Sequence, residues 1–223
     1  MSFPQFSHRP GEHAPFSPSS PSWLNYDDEQ LIASYKNKHR SELGTEMHEW
    51  ASVQIKLGNK VSSVRDLSKS LKTYIYKKYE KAADYRDMLL YNLRYLPVDT
   101  YNTVKQFVND SIACHMDSEQ EVGYSERFWG TSDAIKFNNG LLQVFDLKTG
   151  STPAKLEQLY IYAALYCLQH NVNPFETVIE VRIYQNDEVF FDQPDPKVIL
   201  DIMDNIVHKN KVLNKFEGVE DHA

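Results

Sequence analysis

The sequence predicts an α/β fold, in which a mixed central β-sheet is flanked by helices and carries an additional N-terminal helical layer. Three observations predict it. Apolar residues recur at helical spacing through residues 45–113, and strand-like runs replace them over 118–149, folded about an Asn138-Asn139-Gly140 turn. An apolar helical segment, a second strand pair and a last helix then follow. Antiparallel hairpins linked by a crossover helix to another strand make a mixed sheet with helices on its faces.

In order, residues 1–24 are rich in Pro, Ser, His and Phe, and are expected to form an extended arm held by Phe16 and Trp23. Ser20-Pro21 is a helix-opening pair, and LIASYKNKHR, after Asp27, Asp28 and Glu29, reads as a short helix or turn. Thr45 to about Leu57 is expected to be a helix capped by Thr45. Glu46 and Glu49 then sit near its positive end, Met47, Trp50, Ala51, Val53 and Ile55 are buried, and Gly58-Asn59 end it. Ser63 starts a second helix through Leu67, Leu71, Tyr74, Ile75 and Tyr79, and further helix covers 87–93 and 100–113 on either side of Pro97.

Segments 118–124, 126–137 and 141–149 are expected strands. A helix is expected to start at Pro153 with Thr152 as N-cap, a hairpin joins 178–185 to 188–193 across Asn186-Asp187, and a last helix covers 196 to about 214. Residues 25–215 are thus read as one domain, helical over about 25–113 and built on the sheet over about 114–215, with 216–223 a frayed tail.

Composition narrows the function classes. Of 223 residues, 41% are hydrophobic and 13% aromatic, enough for a sizeable core, and 14 are Tyr. The net charge of −7 excludes a globally basic nucleic-acid binder, although a local basic groove or a bound cation remains compatible with it. Cys114 and Cys167 are far apart and lack CxxC spacing, which argues against a disulfide framework, a zinc ribbon or an iron–sulfur cluster. No apolar run reaches the roughly 18–20 residues that cross a bilayer, and no basic-then-apolar leader opens the sequence, so a cytoplasmic protein with no membrane partner is expected.

The chemistry centres on GTSDAIKFNNGLLQVFDLKTG. Asp133 and Asp146 stand at comparable distances on either side of the turn, so the hairpin brings their carboxylates to neighbouring positions. Strand alternation puts Asp146 and Lys148 on one face and Leu147 on the other. Two carboxylates and an ammonium are costly together in a core, and a divalent cation between the acids makes the arrangement favourable. Phosphodiester hydrolysis wants this equipment. Asp133 and Asp146, helped by the Leu147 carbonyl, would hold Mg²⁺ or Mn²⁺, while Lys148 would position the attacking water and stabilise growing negative charge. A D-x-K tripeptide alone carries little weight, since about one is expected by chance in a chain of this size.

Neighbouring motifs add to it. GTSDAI with Asp133, DLKTG with Asp146 and Lys148, QLYIY with Gln158 and Tyr162, and GTEMHEW with His48 resemble, in order and spacing, four motifs of the PD-(D/E)XK superfamily on its RecB-like branch. The resemblance covers roughly Gly44 to Leu168. It implies a restriction-endonuclease-like core, His48 beside the metal, and Gln158 touching substrate or orienting Lys148, with Tyr162 one turn on. HAPFSPSSPSWLNY also resembles a phage- and prophage-encoded subgroup, although Tyr26 stands where that subgroup has a cysteine and the chain is shorter than its members. The resemblance implies an exonuclease acting on DNA in phage recombination or DNA processing, beside a separate partner protein. A ring-shaped homo-oligomer would suit processive digestion. The rival is a catalytically inactive protein of this fold that binds DNA or a protein.

Other residues read more plainly. Glu46 and Glu49 are helix-terminal acids, with Glu49 a candidate outer group of the site, and Glu119 and Glu121 lie on a strand beside the sheet and read either as approaching the site or, more readily, as a solvated strand face. Lys69, Lys72, Lys77, Lys78 and Lys81, interleaved with Tyr74, Tyr76 and Tyr79, read either as a strand-binding groove or as a solubilising helix face.

Overall fold

The computed structural model describes Phe16, Pro18 and residues 21–150 and 152–218. A short 3-10 helix, Pro21–Asn25, leads into α1 (Asp28–Leu57), α2 (Val64–Lys78), α3 (Ala83–Leu93) and α4 (Val98–Ala113). Then come β1 (Asp117–Ser125), β2 (Phe128–Asn138), β3 (Leu141–Lys148), α5 (Glu157–His170), β4 (Val178–Gln185), β5 (Glu188–Asp192) and α6 (Pro196–Glu217). The five strands form one sheet in sequence order, antiparallel throughout except that β3 and β4 run parallel. The crossover through α5 makes that parallel pair, as the alternation of elements predicts.

Each sheet face has its own core. Ala134, Phe145, Leu147 and Tyr184 pack with α1–α4, through residues such as Met47, Trp50, Leu71 and Phe107. Ile135, Val144, Val181 and Ile183 pack on the other side with Leu159 and Ala163 of α5 and Ile199 and Ile206 of α6. The parallel pair β3 and β4 at the centre of the sheet is therefore covered on both faces, while β1 and β5 remain largely exposed. No helix among the described residues is long and apolar enough to cross a membrane.

Three expectations about helix boundaries are corrected. Thr45 is not an N-cap, and the short helix expected before it is not separate: α1 runs unbroken for 30 residues. Its cap is Asp27, whose carboxylate accepts from the Gln30 amide at 2.8 Å while Gln30 Oε1 accepts from the Asp27 amide. Thr45 Oγ1 instead donates back to the Ser41 carbonyl at 3.3 Å. The one weak point, Gly44, costs a helix only about 1 kcal/mol, which Leu43, Met47, Trp50 and Ala51, all buried, offset. Glu46 and Glu49 are consequently mid-helix, and Val53 is exposed rather than buried.

Pro153 does not open α5, which begins at Glu157, and Thr152 is not its N-cap. The Thr152 carbonyl accepts from Gln185 Nε2 at 2.8 Å, which ties this segment to β4 outside any helix. Finally, α6 continues to Glu217, where Gly218 (φ 69°) ends it, so residues 216 and 217, read as part of the tail, are helical. Phe16 packs on Trp23 and Tyr35, with ring centroids 6.0 and 6.1 Å apart, and Pro21 opens the 3-10 helix. Residues 1–15, 17, 19 and 20 of the arm and residues 219–223 lie outside the described residues.

Candidate active site

Pairing between β2 and β3 ends at Ala134–Phe145, while β3 stays paired with β4 through Lys148–Gln185. The next residues on the two arms are Asp133 and Asp146. Asp133 Oδ2 accepts from the Leu147 amide at 2.8 Å, so a side chain takes over where the ladder stops. Leu147 itself is fully buried among the helices of the first core.

A second break shapes this fork. Glu119 of β1 stands opposite Asp133, between the paired Ser118–Ala134 and Gln120–Ser132, with a left-handed backbone (φ 52°). The strands change face there. Ser118 bonds Ser52 of α1 at 3.0 Å and Ala134 lies in the α1 core, whereas Val122 lies in the α5–α6 core and Gly130 faces Tyr162 of α5. An unbroken strand keeps residues four apart on one face. A non-glycine residue in this conformation costs about 1–3 kcal/mol, the kind of strain that clusters at functional sites.

α1 brings His48 to the fork, its Nδ1 3.3 Å from Asp133 Oδ1. One turn earlier, α1 passes so close to the end of β3 that a Cβ on Gly44 would lie 2.7 Å from Thr149 Oγ1. Glycine there permits the approach that places His48. Behind His48, the buried Glu46 accepts from Lys78 Nζ (2.9 Å) and the Tyr79 hydroxyl, and Glu49 accepts from Lys78 and the Tyr74 hydroxyl (2.8 Å). These contacts dock α2 on α1. They also remove Lys78, Tyr74 and Tyr79 from any strand-binding row on α2, whereas Tyr76 remains exposed beneath the Arg86 guanidinium.

Lys148 Nζ donates to Asp146 Oδ1 at 3.0 Å and to Gln158 Oε1 at 3.3 Å, and lies 2.9 Å from Asp146 Oδ2. That Oδ2 is buried without a hydrogen bond. Tyr162 lies one turn beyond Gln158, its ring edge about 3.0 Å from where a Cβ of Gly130 would be, so it covers β2 upstream of Asp133. Next to Lys148, the buried Gln185 donates to the Gly150 and Thr152 carbonyls (2.7 and 2.8 Å) and accepts from the Ala154 amide (3.1 Å), fixing the connection from β3 towards α5.

Electrostatics follow from this crowding. Burial, with the charge of Asp133 added, pushes Asp146 up to about 6, and Lys148 and His48 offset this only in part. Burial alone would lower His48, but the hydrogen bond and charge of Asp133, helped by Asp146 and Glu119, raise it. Burial and Asp133 also raise Glu119. Among the described residues no three His, Cys, Asp or Glu side chains already converge as a cation cage. Lys148 occupies Asp146, and His48 and the Leu147 amide occupy Asp133. Even so, the residues fit a divalent cation: the donors are hard oxygens with one imidazole, and the buried Asp146 Oδ2 has no hydrogen bond and meets only the Lys148 ammonium, at 2.9 Å.

The structure thus gathers His48, Asp133, Asp146, Leu147, Lys148 and Gln158, and sets Tyr162 on the adjoining strand. It shows the Leu147 amide at Asp133, where the sequence reading had its carbonyl on a metal. Glu119, for which approach to the site was the less favoured of two readings, is exposed and lies beside Asp133 and His48; an Asp–Ser–Glu–Gln strand gives no signal of a backbone kink. Glu121 lies away from the fork, beside Trp129 and Gln169. Thr149 and Gln185 were not foreseen, because their roles depend on α1 and on a loop from elsewhere in the chain.

A five-stranded mixed sheet flanked by helices, with carboxylates and a lysine where its second and third strands part, is the restriction-endonuclease-like α/β fold. A family model described as the PD-(D/E)XK nuclease superfamily matches residues 22–217, and the chain belongs to that superfamily. No curated protein and no solved structure matches it.

Proposed function

We propose that this chain is a Mg²⁺- or Mn²⁺-dependent deoxyribonuclease of the RecB-like branch that digests DNA from its ends, in phage recombination or DNA processing in the cytoplasm. The observation that carries this reading is the meeting of Asp133, Asp146 and Lys148 at one fork in a chain of a nuclease superfamily. In this reading residues 25–215 form the nuclease domain, and any recombination partner is a separate protein.

Asp133, Asp146, His48 and the Leu147 carbonyl would hold the cation, which requires His48 to be neutral. When bound, the cation supplies Lewis acidity and neutralises charge on the phosphate. With Asp146 engaged in holding the cation, Lys148 would be available to position the attacking water and to offset charge developing on the phosphoryl oxygens. Gln158 keeps Lys148 from swinging into solvent. Tyr162, on the same helix, positions substrate over β2. The preference for ends rests on the resemblance of His48 with Gln158 and Tyr162 to end-processing members.

End-labelled linear and closed circular DNA, incubated with Mg²⁺, Mn²⁺ or EDTA, test the reading. Metal-dependent loss of the linear form alone is expected. Cutting of the circle would make the protein an endonuclease at the same site. Binding without turnover under any metal would favour an inactive protein of this fold.

A further inference from the structure

One face of α1 lines a groove of about 1080 Å³ that leads to the fork. Asn37, Arg40, Ser41, Thr45 and His48 follow one another at steps of three or four, except that Arg40 and Ser41 are adjacent, so they form one stripe. The buried Leu43 and Met47 lie at its edge. The acids of the same stretch of α1 are engaged: Glu42 by His39 (3.0 Å), Glu46 by Lys78 and Tyr79, and Glu49 by Lys78 and Tyr74. The groove's remaining charges, Asp99, Glu119 and Asp133, are acidic, and among the described residues Arg40 is the one Lys or Arg lining it. Arg40 is exposed, and no carboxylate among the described residues pairs with it.

A polyanion entering an acidic groove of a chain with charge −7 needs a cation outside the metal site. A guanidinium offers a planar fork that matches phosphate, and Asn37 and Ser41 add neutral donors on either side of it. At about 1.5 Å rise per residue, Arg40 stands roughly 12 Å from His48 along α1, a few phosphates from the fork. We propose that Arg40 holds a phosphodiester of the substrate strand a few nucleotides from the bond cleaved, as a substrate-positioning residue; this rests on the nuclease reading above.

The test uses the full chain and labelled single- and double-stranded oligonucleotides in EDTA, with affinity followed by anisotropy across a salt series. Arg40→Gln should weaken binding about 3- to 10-fold at low salt and flatten the log–log salt slope by about one. Arg40→Lys should keep the wild-type slope, and all three proteins should melt at the same temperature. In turnover assays with metal, the loss should fall on KM rather than kcat. An unchanged slope in Arg40→Gln, or equal losses in both variants without a slope change, overturns the assignment. A flatter slope in Arg40→Gln with a wild type that never cleaves overturns the nuclease reading and leaves Arg40 standing. No DNA binding by the wild type overturns both.

Discussion

Asp133 of β2 and Leu147 of β3 are joined by one hydrogen bond, from the Leu147 amide to Asp133 Oδ2 at 2.8 Å, at the point where the two strands cease to pair. The carboxylate closes the sheet and keeps its other oxygen towards His48. Asp133→Asn retains an acceptor for that amide and should fold nearly as well as the wild type. Asp133→Ala leaves a backbone donor without its partner and should lose about 1–3 kcal/mol in urea unfolding. Both should be inactive, so a comparison of midpoints separates the structural part of Asp133 from the proposed chemical one.

Metal-free protein should be less stable above pH 6 than near pH 4, as far as Asp146 is concerned. Its folded carboxyl titrates at about 6 against an ordinary 3.8, so between these values the folded state holds a proton that the unfolded chain has released. Stability therefore falls as pH rises through this window, by on the order of 2 kcal/mol. His48, raised in the folded state, adds stability that is present below its ordinary value and lost as pH climbs through its folded one. Asp146→Asn should remove the first effect and melt higher than the wild type at pH 8 without metal. Thermal melts from pH 4 to 8 check this, and Mg²⁺ or Mn²⁺ should stabilise only the wild type.

Gly44→Ala should cost activity more than stability. The added Cβ meets Thr149 Oγ1 at 2.7 Å, while alanine favours the helix by about 1 kcal/mol. Displacing α1 by a few tenths of an ångström moves His48 away from Asp133, and we expect cleavage to drop about tenfold. Thr149→Ala in the same chain should restore most of it. Rates of the two single variants and the double variant, taken as a cycle, decide whether the two residues are coupled.

Gln185→Leu should lose about 2–3 kcal/mol, because three hydrogen bonds to the backbone of residues 150, 152 and 154 disappear from a buried site. The segment between Lys148 and Gln158 should then open to proteolysis well before the rest of the domain. Limited digestion with mapping of the first cuts reads this directly.

Much of this was legible in the sequence. The hairpin over 128–148 follows from its alternation and the Asn138-Asn139-Gly140 turn, and with it the approach of Asp133 to Asp146. The union of 28–44 with 45–57 in one helix was hidden, because Gly44 and Thr45 carry the local signals of an interruption, and only the burial of Leu43, Met47, Trp50 and Ala51 in the core shared with α2–α4 overrides them. The late start of α5 was hidden for a similar reason: Pro153 satisfies a local rule, but Gln185, 31 residues from Ala154, binds that backbone outside the helix. The kink at Glu119 has no sequence signature at all, since it arises where β1 and β2 must exchange faces between two cores.

The most direct test of the central claim is release of nucleotide from labelled linear DNA with Mg²⁺ or Mn²⁺, for the wild type beside Asp146→Ala and Lys148→Ala. The account predicts metal-dependent release by the wild type and a loss of at least about 100-fold in each variant. Release that survives both substitutions, or that persists in EDTA, would contradict it.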